Sequence, residues 1–408
     1  MRVLFTTFPS PSHFNPLVPL AWAFRTAGHE VTVASTPGLS AAILAAGLPA
    51  VAVGTDRSEE ETWRDPGLSH WHNQGRWPDG WPQYPERLGP EQRELLAGLG
   101  RRQCANAEAM AGDLVAFARR WRAELVVHDA VSYAGPVAAA ALGLPSVSNL
   151  WGAPGLQRLE MSDLLERPQP AYRRLFDPYG APVRIWPTRW VDPCPPSMNH
   201  PSPVEPLPVR YVPYNGAPPQ APPEWVSTPP RGRPRVCVTW GATTGKFLGE
   251  AAAEPLRQAV LAAAGLAAEV VVATPEDQRE LLLDLAGPRV RLAGRVPLDR
   301  LLPTCAAVVH HGGSGTTMTA AAAGVPQITV TGRPEPTLNG SRVADAGAGF
   351  NHTLDELPAG QDGVRLLREE LGLLLEDGEH AKSAARLRAE IQAMPPPSEL
   401  VPVLAALV

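Results

Sequence analysis

The chain has 408 residues, more than one ordinary folding core contains, and this length predicts two domains of about 200 residues each. Its formal net charge of −5, without a basic run, argues against nucleic acid as the main partner. The four cysteines lie far apart without metal-ligand spacing, and no apolar run is long enough to cross a bilayer. These features predict a soluble cytoplasmic protein without a disulfide framework or a zinc site.

The first half of the chain alternates predicted strands and helices, starting with a strand over residues 2–8. After it, Leu17, Leu20 and Phe24 recur at helical spacing, which predicts an amphipathic helix that ends at Gly28. The alternation indicates parallel βαβ units in a Rossmann-like sheet, although no GxGxxG sequence is present. The further predicted elements are strands at 31–35, 50–53, 125–128 and 146–150 and helices at 40–46 and 133–142.

A long segment over residues 54–95 shows neither helical nor strand periodicity, yet it is rich in tryptophan and histidine. Loops of this length are usually functional or disordered, and disordered segments are poor in aromatic rings. We therefore predict that the segment forms a wall against a flat apolar ligand. Simple packing across the domain edge is the alternative.

A second series of alternating elements follows a proline-rich passage over 212–234, which cannot lie inside a helix or a central strand. Two doubly wound domains in series enclose a cleft, and ligands are expected there at the C-terminal ends of the strands. The predicted elements of this second series are strands at 236–240, 269–273, 290–292 and 306–309 and helices at 248–264, 276–286 and 298–303.

The most informative motif is the run His310-His311-Gly312-Gly313-Ser314-Gly315-Thr316-Thr317, which joins a buried strand to a helix. Glycines permit a sharp bend and a close approach of backbone N–H groups to a ligand. Together with the positive end of the following helix, these groups attract phosphate, and the hydroxyl and imidazole side chains add donors. The spacing fits neither a Walker sequence nor the dinucleotide fingerprint, and glycines needed only for packing are the alternative.

His13 and Asp129 follow two predicted strands of the first half, so both are expected at the C-terminal edge of one sheet. Histidine is suited to take a proton from a hydroxyl near neutral pH, an effect worth about 10²–10⁴ in rate. A carboxylate can hold one ring nitrogen and support the imidazolium. The pair therefore predicts a catalytic base and its partner, with helix-capping roles for both residues as the alternative.

The chain has no DxD sequence and thus no obvious carboxylate pair for a divalent metal on a diphosphate. Helix N-terminal amides and His311 are then the candidates for neutralising a phosphate leaving group. We therefore expect neither a metal ion nor a cofactor beyond the substrates.

Together these residues resemble a family-1 glycosyltransferase of the GT-B fold, most closely the actinomycete enzymes that attach deoxysugars to macrolide, aromatic polyketide and enediyne natural products. The resemblance covers nearly the whole chain. It implies an α/β protein with two Rossmann-like domains facing across a cleft, and a C-terminal helix that crosses back to the first domain. The segments that carry it are 1–5, 12–13, 17–23, 27–31, 211–216, 294–298, 311–316 and 322–327.

The resemblance implies inverting, metal-independent transfer of a sugar from a nucleoside diphosphate to a hydroxyl of a natural-product aglycone. It assigns His13 as the base that activates the acceptor and Asp129 as its partner carboxylate. The implied units are an acceptor-binding domain at 1–215, a linker at 216–234, a nucleotide-sugar domain at 235–385 and a returning helix at 386–408. The predicted donor contacts are Trp240, Gly241, Val296, His311, Gly312, Gly313, Ser314, Gly315, Thr316 and Glu335, and the predicted acceptor contacts are Trp71, Trp77, Trp81 and Trp151.

The sequence departs from the family where Glu335 and Pro336 stand in place of the common Asp-Gln before Leu338-Asn339. Asp-Gln ordinarily binds sugar hydroxyls, and Pro336 removes an amide that could have made such bonds. We therefore predict a donor with fewer hydroxyls, a dTDP-deoxysugar rather than UDP-glucose.

Other functions stay open on the sequence alone. One is C-glycosyl transfer to an aromatic aglycone, and another is a GT-B nucleotide-sugar epimerase, which would not need the aromatic loop. A non-catalytic helper is disfavoured because His13 and Asp129 are both present. The sequence is compatible with a homodimer or a partner protein but identifies neither, and it does not name the aglycone or the sugar.

Overall fold

The computed structural model describes residues 1–58, 61–62, 65–68, 70–151, 160–161, 167–199, 205–217, 221–241, 250–376 and 378–408. Within these ranges the strands form one seven-stranded and one six-stranded sheet, and all paired strands run parallel. The strands of the first sheet are β1 (Arg2–Thr6), β2 (Glu30–Ser35), β3 (Ala50–Ala52), β4 (Leu125–Asp129), β5 (Ser146–Asn149), β6 (Arg189–Asp192) and β7 (Leu207–Pro208). Those of the second are β8 (Arg235–Thr239), β9 (Glu269–Val272), β10 (Val290–Leu292), β11 (Ala307–His310), β12 (Gln327–Thr331) and β13 (Gly349–Thr353).

Helices cover both faces of each sheet. The helices packed around the first sheet are α1 (Pro11–Phe14), α2 (Val18–Thr26), α3 (Ser40–Ala45), α4 (Pro90–Trp121), α5 (Ala134–Leu142) and α6 (Pro170–Arg174). The later helices are α7 (Glu250–Ala264), α8 (Glu276–Glu280), α9 (Leu298–Leu301), α10 (Ser314–Ala323), α11 (Pro334–Asp345), α12 (Gly360–Glu376), α13 (Gly378–Ala393) and α14 (Pro397–Ala405).

The first strand shows why the sheets are buried on both sides. Phe5 points to the face covered by α2 and packs near Phe24, whereas Leu4 points to the opposite face near Leu114 of α4. All of these side chains are fully buried. Burial of a side chain of this size contributes roughly 1.5–3 kcal/mol, so the continuous apolar run fixes β1 at the centre of its sheet.

The strand order is the same in the two sheets. The first follows β3-β2-β1-β4-β5-β6-β7, and the second follows β10-β9-β8-β11-β12-β13. In each sheet the order reverses between the first and fourth strands, where the loops leaving neighbouring strands separate and open a crevice. His13, the Trp240-Gly241 pair and the glycine turn follow β1, β8 and β11, and Asp129 is the last residue of β4.

The longest helix, α4, begins inside the segment that the sequence predicted to be a loop. Residues 90–95 therefore correct that prediction. Its buried Met110 and Leu114 pack on the first sheet, whereas Leu95 and Leu99 near its start pack against the tryptophans of the preceding segment. The remaining part of the segment, up to the start of α4, contains only short helical turns among its described residues.

The C-terminal helix returns to the first domain, as predicted. Leu400, Val401 and Leu404 of α14 pack against Leu17 and Phe24. Residues 386–393 still belong to α13, which packs on α10 of the second domain, so the crossing takes place after Ala393. In the part of the chain that the structure describes, no helix is both long and apolar enough to span a bilayer.

Candidate active site

His13 lies at the C-terminal edge of the first sheet, in the short helix α1 that follows β1. Pro11 at the start of α1 suits a helix that begins abruptly after the strand. The His13 ring contacts the rings of Phe8 and Trp151, with centroid separations of 4.8 Å in both cases. Its side chain remains 23% exposed, so the imidazole is accessible to a ligand.

Asp129 ends β4, with its carboxylate Oδ1 3.5 Å from Nδ1 of His13. The backbone N–H of Phe8 donates to Oδ2 and that of Val131 donates to Oδ1, so the buried carboxylate has a fixed orientation. The contact with His13 is within ion-pair distance but lacks hydrogen-bond geometry. The structure thus brings together the two residues that the sequence singled out, while their catalytic roles stay predictions.

The glycine turn begins at His310, a buried residue at the end of β11. The Gly312 N–H donates to Nδ1 of His310, which assigns the ring proton to Nε2, and this nitrogen donates to Gln327 Oε1 at 2.8 Å. Burial lowers the pKa of His310 to about 4, so the ring is a neutral structural support. Gly312 has a φ of +78°, and a Cβ there would lie 2.5 Å from Cγ2 of Thr331, so the bend requires glycine.

The His311 ring fits between two glycines, Gly241 after β8 and Gly313 in the turn. A Cβ on either glycine would lie 2.5 Å from an atom of the ring. Burial lowers the pKa of His311 well below its ordinary value, and the neighbouring His310 lowers it further. His311 is therefore neutral near pH 7. Trp240, just before Gly241, is almost fully buried.

Helix α10 starts at Ser314, and no side chain caps its N-terminus. The Ser314 hydroxyl donates to Oε1 of Glu335, which lies in the first turn of α11. Asn339 donates to the Ser314 hydroxyl and to the same Glu335 oxygen, at 2.9 Å in each case. The three side chains fix Glu335 against the glycine turn. Thr316 is half-buried and Gly315 is exposed, so the uncapped first-turn N–H groups lie near the surface of the cleft.

Val296 lies in the loop that follows β10, at the same C-terminal edge of the second sheet. It is half-buried and packs in a cluster with Trp225 and Leu298. The structure therefore places it at the cleft edge of the second domain, and its contact with a nucleotide base stays a prediction.

The tryptophans of the 54–95 segment form a compact cluster. Trp71, Trp77 and Trp81 are each 9% exposed or less and pack with leucines of the same segment and of α4. Leu338 of the second domain contacts this cluster, so the segment bridges the two domains. The rings are largely withdrawn from solvent, and acceptor binding by these three residues stays a prediction, whereas Trp151 lies directly against His13.

Sequence reasoning missed two polar residues near the cleft, Arg102 of α4 and the buried Glu160. The Arg102 guanidinium lies 5.7 Å from the Phe8 ring centroid, and the buried Glu160 accepts a hydrogen bond from the Tyr133 hydroxyl. Burial raises the pKa of Glu160 to about 7, while the nearby Arg102 opposes the shift. Helical periodicity after residue 95 would have identified α4, but no local pattern marks Arg102 or Glu160.

A pocket in the second domain opens beside the glycine turn, with about 280 Å³ of atom-free space that includes open solvent. His72 of the first domain closes one side of it. Among the described residues, no group of three His, Cys, Asp or Glu side chains could hold a metal ion. The residues that line the pocket are His72, Trp240, His311, Val330, Gly332, Arg333 and Leu354.

This arrangement of two Rossmann-like sheets places the chain among the GT-B glycosyltransferases, and solved structures agree. The glycosyltransferase VinC in complex with dTDP superimposes with a TM-score of 0.80 at 33% identity, over 100% of this chain and 99% of that one. The spinosyn rhamnosyltransferase SpnG, complexed with thymidine diphosphate, superimposes with a TM-score of 0.79 at 29% identity, over 99% of this chain and 100% of that one.

The chain belongs to the erythromycin biosynthesis protein CIII-like family, whose N-terminal domain matches residues 22–241 and whose C-terminal domain matches residues 257–407. It is 39% identical to the aklavinone 7-beta-L-rhodosaminyltransferase of Streptomyces galilaeus, over 99% of this chain and 95% of that protein. It is 37% identical to the tylactone mycaminosyltransferase of Streptomyces fradiae, over 99% of this chain and 92% of that protein. The protein is therefore a glycosyltransferase of natural-product biosynthesis, and the predicted family is confirmed.

Proposed function

We propose that the protein transfers a deoxysugar from dTDP to a hydroxyl of a polyketide-type or similar natural-product aglycone, with inversion at the anomeric carbon. The observation that carries the proposal is the accessible His13 ring 3.5 Å from the buried Asp129, in the domain opposite the glycine turn. The donor class, a deoxysugar on dTDP, is supported by two kinds of similar protein. One is a relative named as a 2-deoxy-L-fucose transferase, and the others are similar solved structures in complex with thymidine diphosphate.

In the proposed reaction, the acceptor hydroxyl gives its proton to Nε2 of His13, because Nδ1 faces Asp129. The hydroxyl oxygen forms a bond to the anomeric carbon while the bond from that carbon to the phosphate oxygen breaks. The electron pair leaves with the nucleoside diphosphate, whose oxygens meet the glycine turn and the uncapped N-terminus of α10. Asp129 stabilises the imidazolium, and the transition state has oxocarbenium character.

Glu335 is the residue that we expect to contact the sugar of the donor. Its Oε1 accepts hydrogen bonds from Ser314 and Asn339, whereas no described side chain donates to Oε2. The Oε2 atom is therefore available to one sugar hydroxyl, and Pro336 beside it offers no side-chain hydrogen bond. This limited polar surface supports a deoxysugar donor.

The test is a donor and acceptor comparison with the purified chain. A dTDP-deoxysugar and UDP-glucose are each incubated with a panel of polyketide aglycones, products are separated by mass, and NMR assigns the anomeric configuration. We expect turnover with the dTDP-deoxysugar and a product of inverted configuration. Equal turnover with UDP-glucose contradicts the donor assignment, and a retained configuration contradicts the mechanism.

A further inference from the structure

The pocket beside the glycine turn contains a guanidinium that has no partner in the described part of the chain. Arg333 lies just before Pro334, at the N-terminal boundary of α11, and lines the pocket with Trp240 and His311. Its guanidinium makes no hydrogen bond or ion pair with any residue that the structure describes, and burial lowers its pKa. An arginine remains charged even when its pKa is lowered, so a positive charge is held in the pocket without direct compensation.

The charged and titratable groups around Arg333 do not neutralise it. Glu335 attracts it, but that carboxylate already accepts from Ser314 and Asn339 and lies beyond ion-pair distance. Arg102, across the cleft, repels it. His72 and His311 are neutral near pH 7, because burial lowers the pKa of His72 to about 3 and that of His311 well below its ordinary value.

Arg333 is thus the permanent cation among the described residues that line this pocket. A partly buried charge without a partner lowers stability, so an anionic ligand would bind here more favourably than water. The guanidinium presents a planar set of N–H donors that can bind two phosphate oxygens at once. An ammonium group has no such planar set.

We propose that Arg333 binds the diphosphate of the nucleotide-sugar donor and neutralises the charge that develops on the leaving group. This inference rests on the proposed function. As the bond from the anomeric carbon to oxygen breaks, its electron pair moves to the β-phosphate oxygen, and the guanidinium stabilises that charge. The backbone N–H groups of the glycine turn hold the remaining oxygens. Arg333 thereby supplies the positive charge that the neutral His311 does not.

The experiment compares wild type, R333M and R333K by calorimetric titration with dTDP, thymidine and inorganic pyrophosphate. We expect R333M to bind dTDP and pyrophosphate at least about tenfold more weakly, with thymidine affinity unchanged. R333K keeps a positive charge but lacks the planar set of N–H donors, so its affinity for dTDP and pyrophosphate should lie between those of wild type and R333M. The matched control is R365M, since Arg365 is an exposed residue of α12 whose ion pair with Asp362 lies within that helix.

Thermal unfolding of the ligand-free proteins separates binding from a structural role. Removing an uncompensated cation that faces Arg102 is expected to leave the R333M melting temperature unchanged or higher, whereas loss of a structural contact would lower it.

Equal dTDP affinity in wild type and R333M overturns the inference, as does an equal loss for thymidine. If wild type binds pyrophosphate through Arg333 but not dTDP, the donor assignment fails and the inference stands. If wild type binds neither dTDP nor pyrophosphate, the donor assignment and the inference about Arg333 both fail.

Discussion

Arg76 of the first domain and Glu356 of the second form a two-point ion pair across the domain boundary. Nε and Nη2 of Arg76 each lie 2.7 Å from a different oxygen of Glu356. Arg76 also donates to the Ser341 hydroxyl, and the Gln74 N–H donates to the Gly332 carbonyl. The aromatic segment of the first domain is therefore attached to the second domain beside the pocket lined by His311 and Arg333.

The first prediction concerns R76A, which removes this attachment. Both side chains are about one-third exposed, so we expect a loss of global stability below about 1 kcal/mol. Hydrogen exchange in the described residues of 70–77 should nevertheless accelerate, because the segment is no longer held on the second domain. The control is R365A, and unchanged exchange in R76A would contradict the role given to Arg76.

The same ion pair has a defined pH dependence. Its hydrogen bond to Arg76 holds the pKa of Glu356 at about 2, below the ordinary 4.5. The folded protein binds that proton less tightly than the unfolded chain does, so the stabilisation is present above pH 4.5 and is lost as the pH falls toward 2. Wild-type exchange in the segment should approach that of R76A over this range.

The second prediction concerns the proposed base. We expect H13A to lose about 10²–10⁴ in kcat, because the acceptor hydroxyl loses its proton acceptor, while dTDP affinity is retained. D129N should also reduce kcat strongly, because an amide cannot stabilise the imidazolium and favours the wrong tautomer of the ring. H380A is the matched control, since His380 binds the Gly347 carbonyl in the second domain. Unchanged transfer by H13A removes the base assignment.

The third prediction separates packing from acceptor binding at Trp81. The indole is 3% exposed and lies 4.7 Å from the Trp77 ring, measured between centroids. W81A should lower the free energy of unfolding by about 3–5 kcal/mol because it leaves a cavity. W81F fills most of that space, so it isolates binding: a raised KM for the aglycone with near wild-type stability supports an acceptor contact, and an unchanged KM supports packing alone.

The fourth prediction concerns Asp192, at the end of β6. Burial raises its pKa to about 7 from 3.8, although the Cys194 N–H donates to Oδ1, and Oδ2 is buried without a hydrogen-bond partner among the described residues. The folded protein binds this proton more tightly than the unfolded chain, so stability decreases as the pH rises from 3.8 through about 7. In D192N the decrease should be smaller. Identical pH profiles of the melting temperature would show that Asp192 does not titrate there.

Much of the fold could be predicted because its signals are local. The strand at Arg2–Thr6, the helix after it and the turn from His310 to Thr317 each show their pattern within about ten residues. Parallel strands then bring His13 and Asp129 to one edge, so their proximity follows from topology. The helix α4 was not predicted, because its first turns lie in the aromatic segment, although its apolar residues recur at helical spacing beyond residue 95.

The sequence by itself determined the two-domain Rossmann plan, the glycine turn between a strand and a helix, and the pairing of His13 with Asp129. The tertiary structure alone decided which rings are buried, that His311 is neutral, and that Arg333 has no partner among the residues the structure describes. It also decided the Arg76–Glu356 ion pair, whose partners are 280 positions apart. The reason is that periodicity and turn chemistry are set by neighbours in the chain, whereas desolvation and charge pairing depend on groups that only folding brings together.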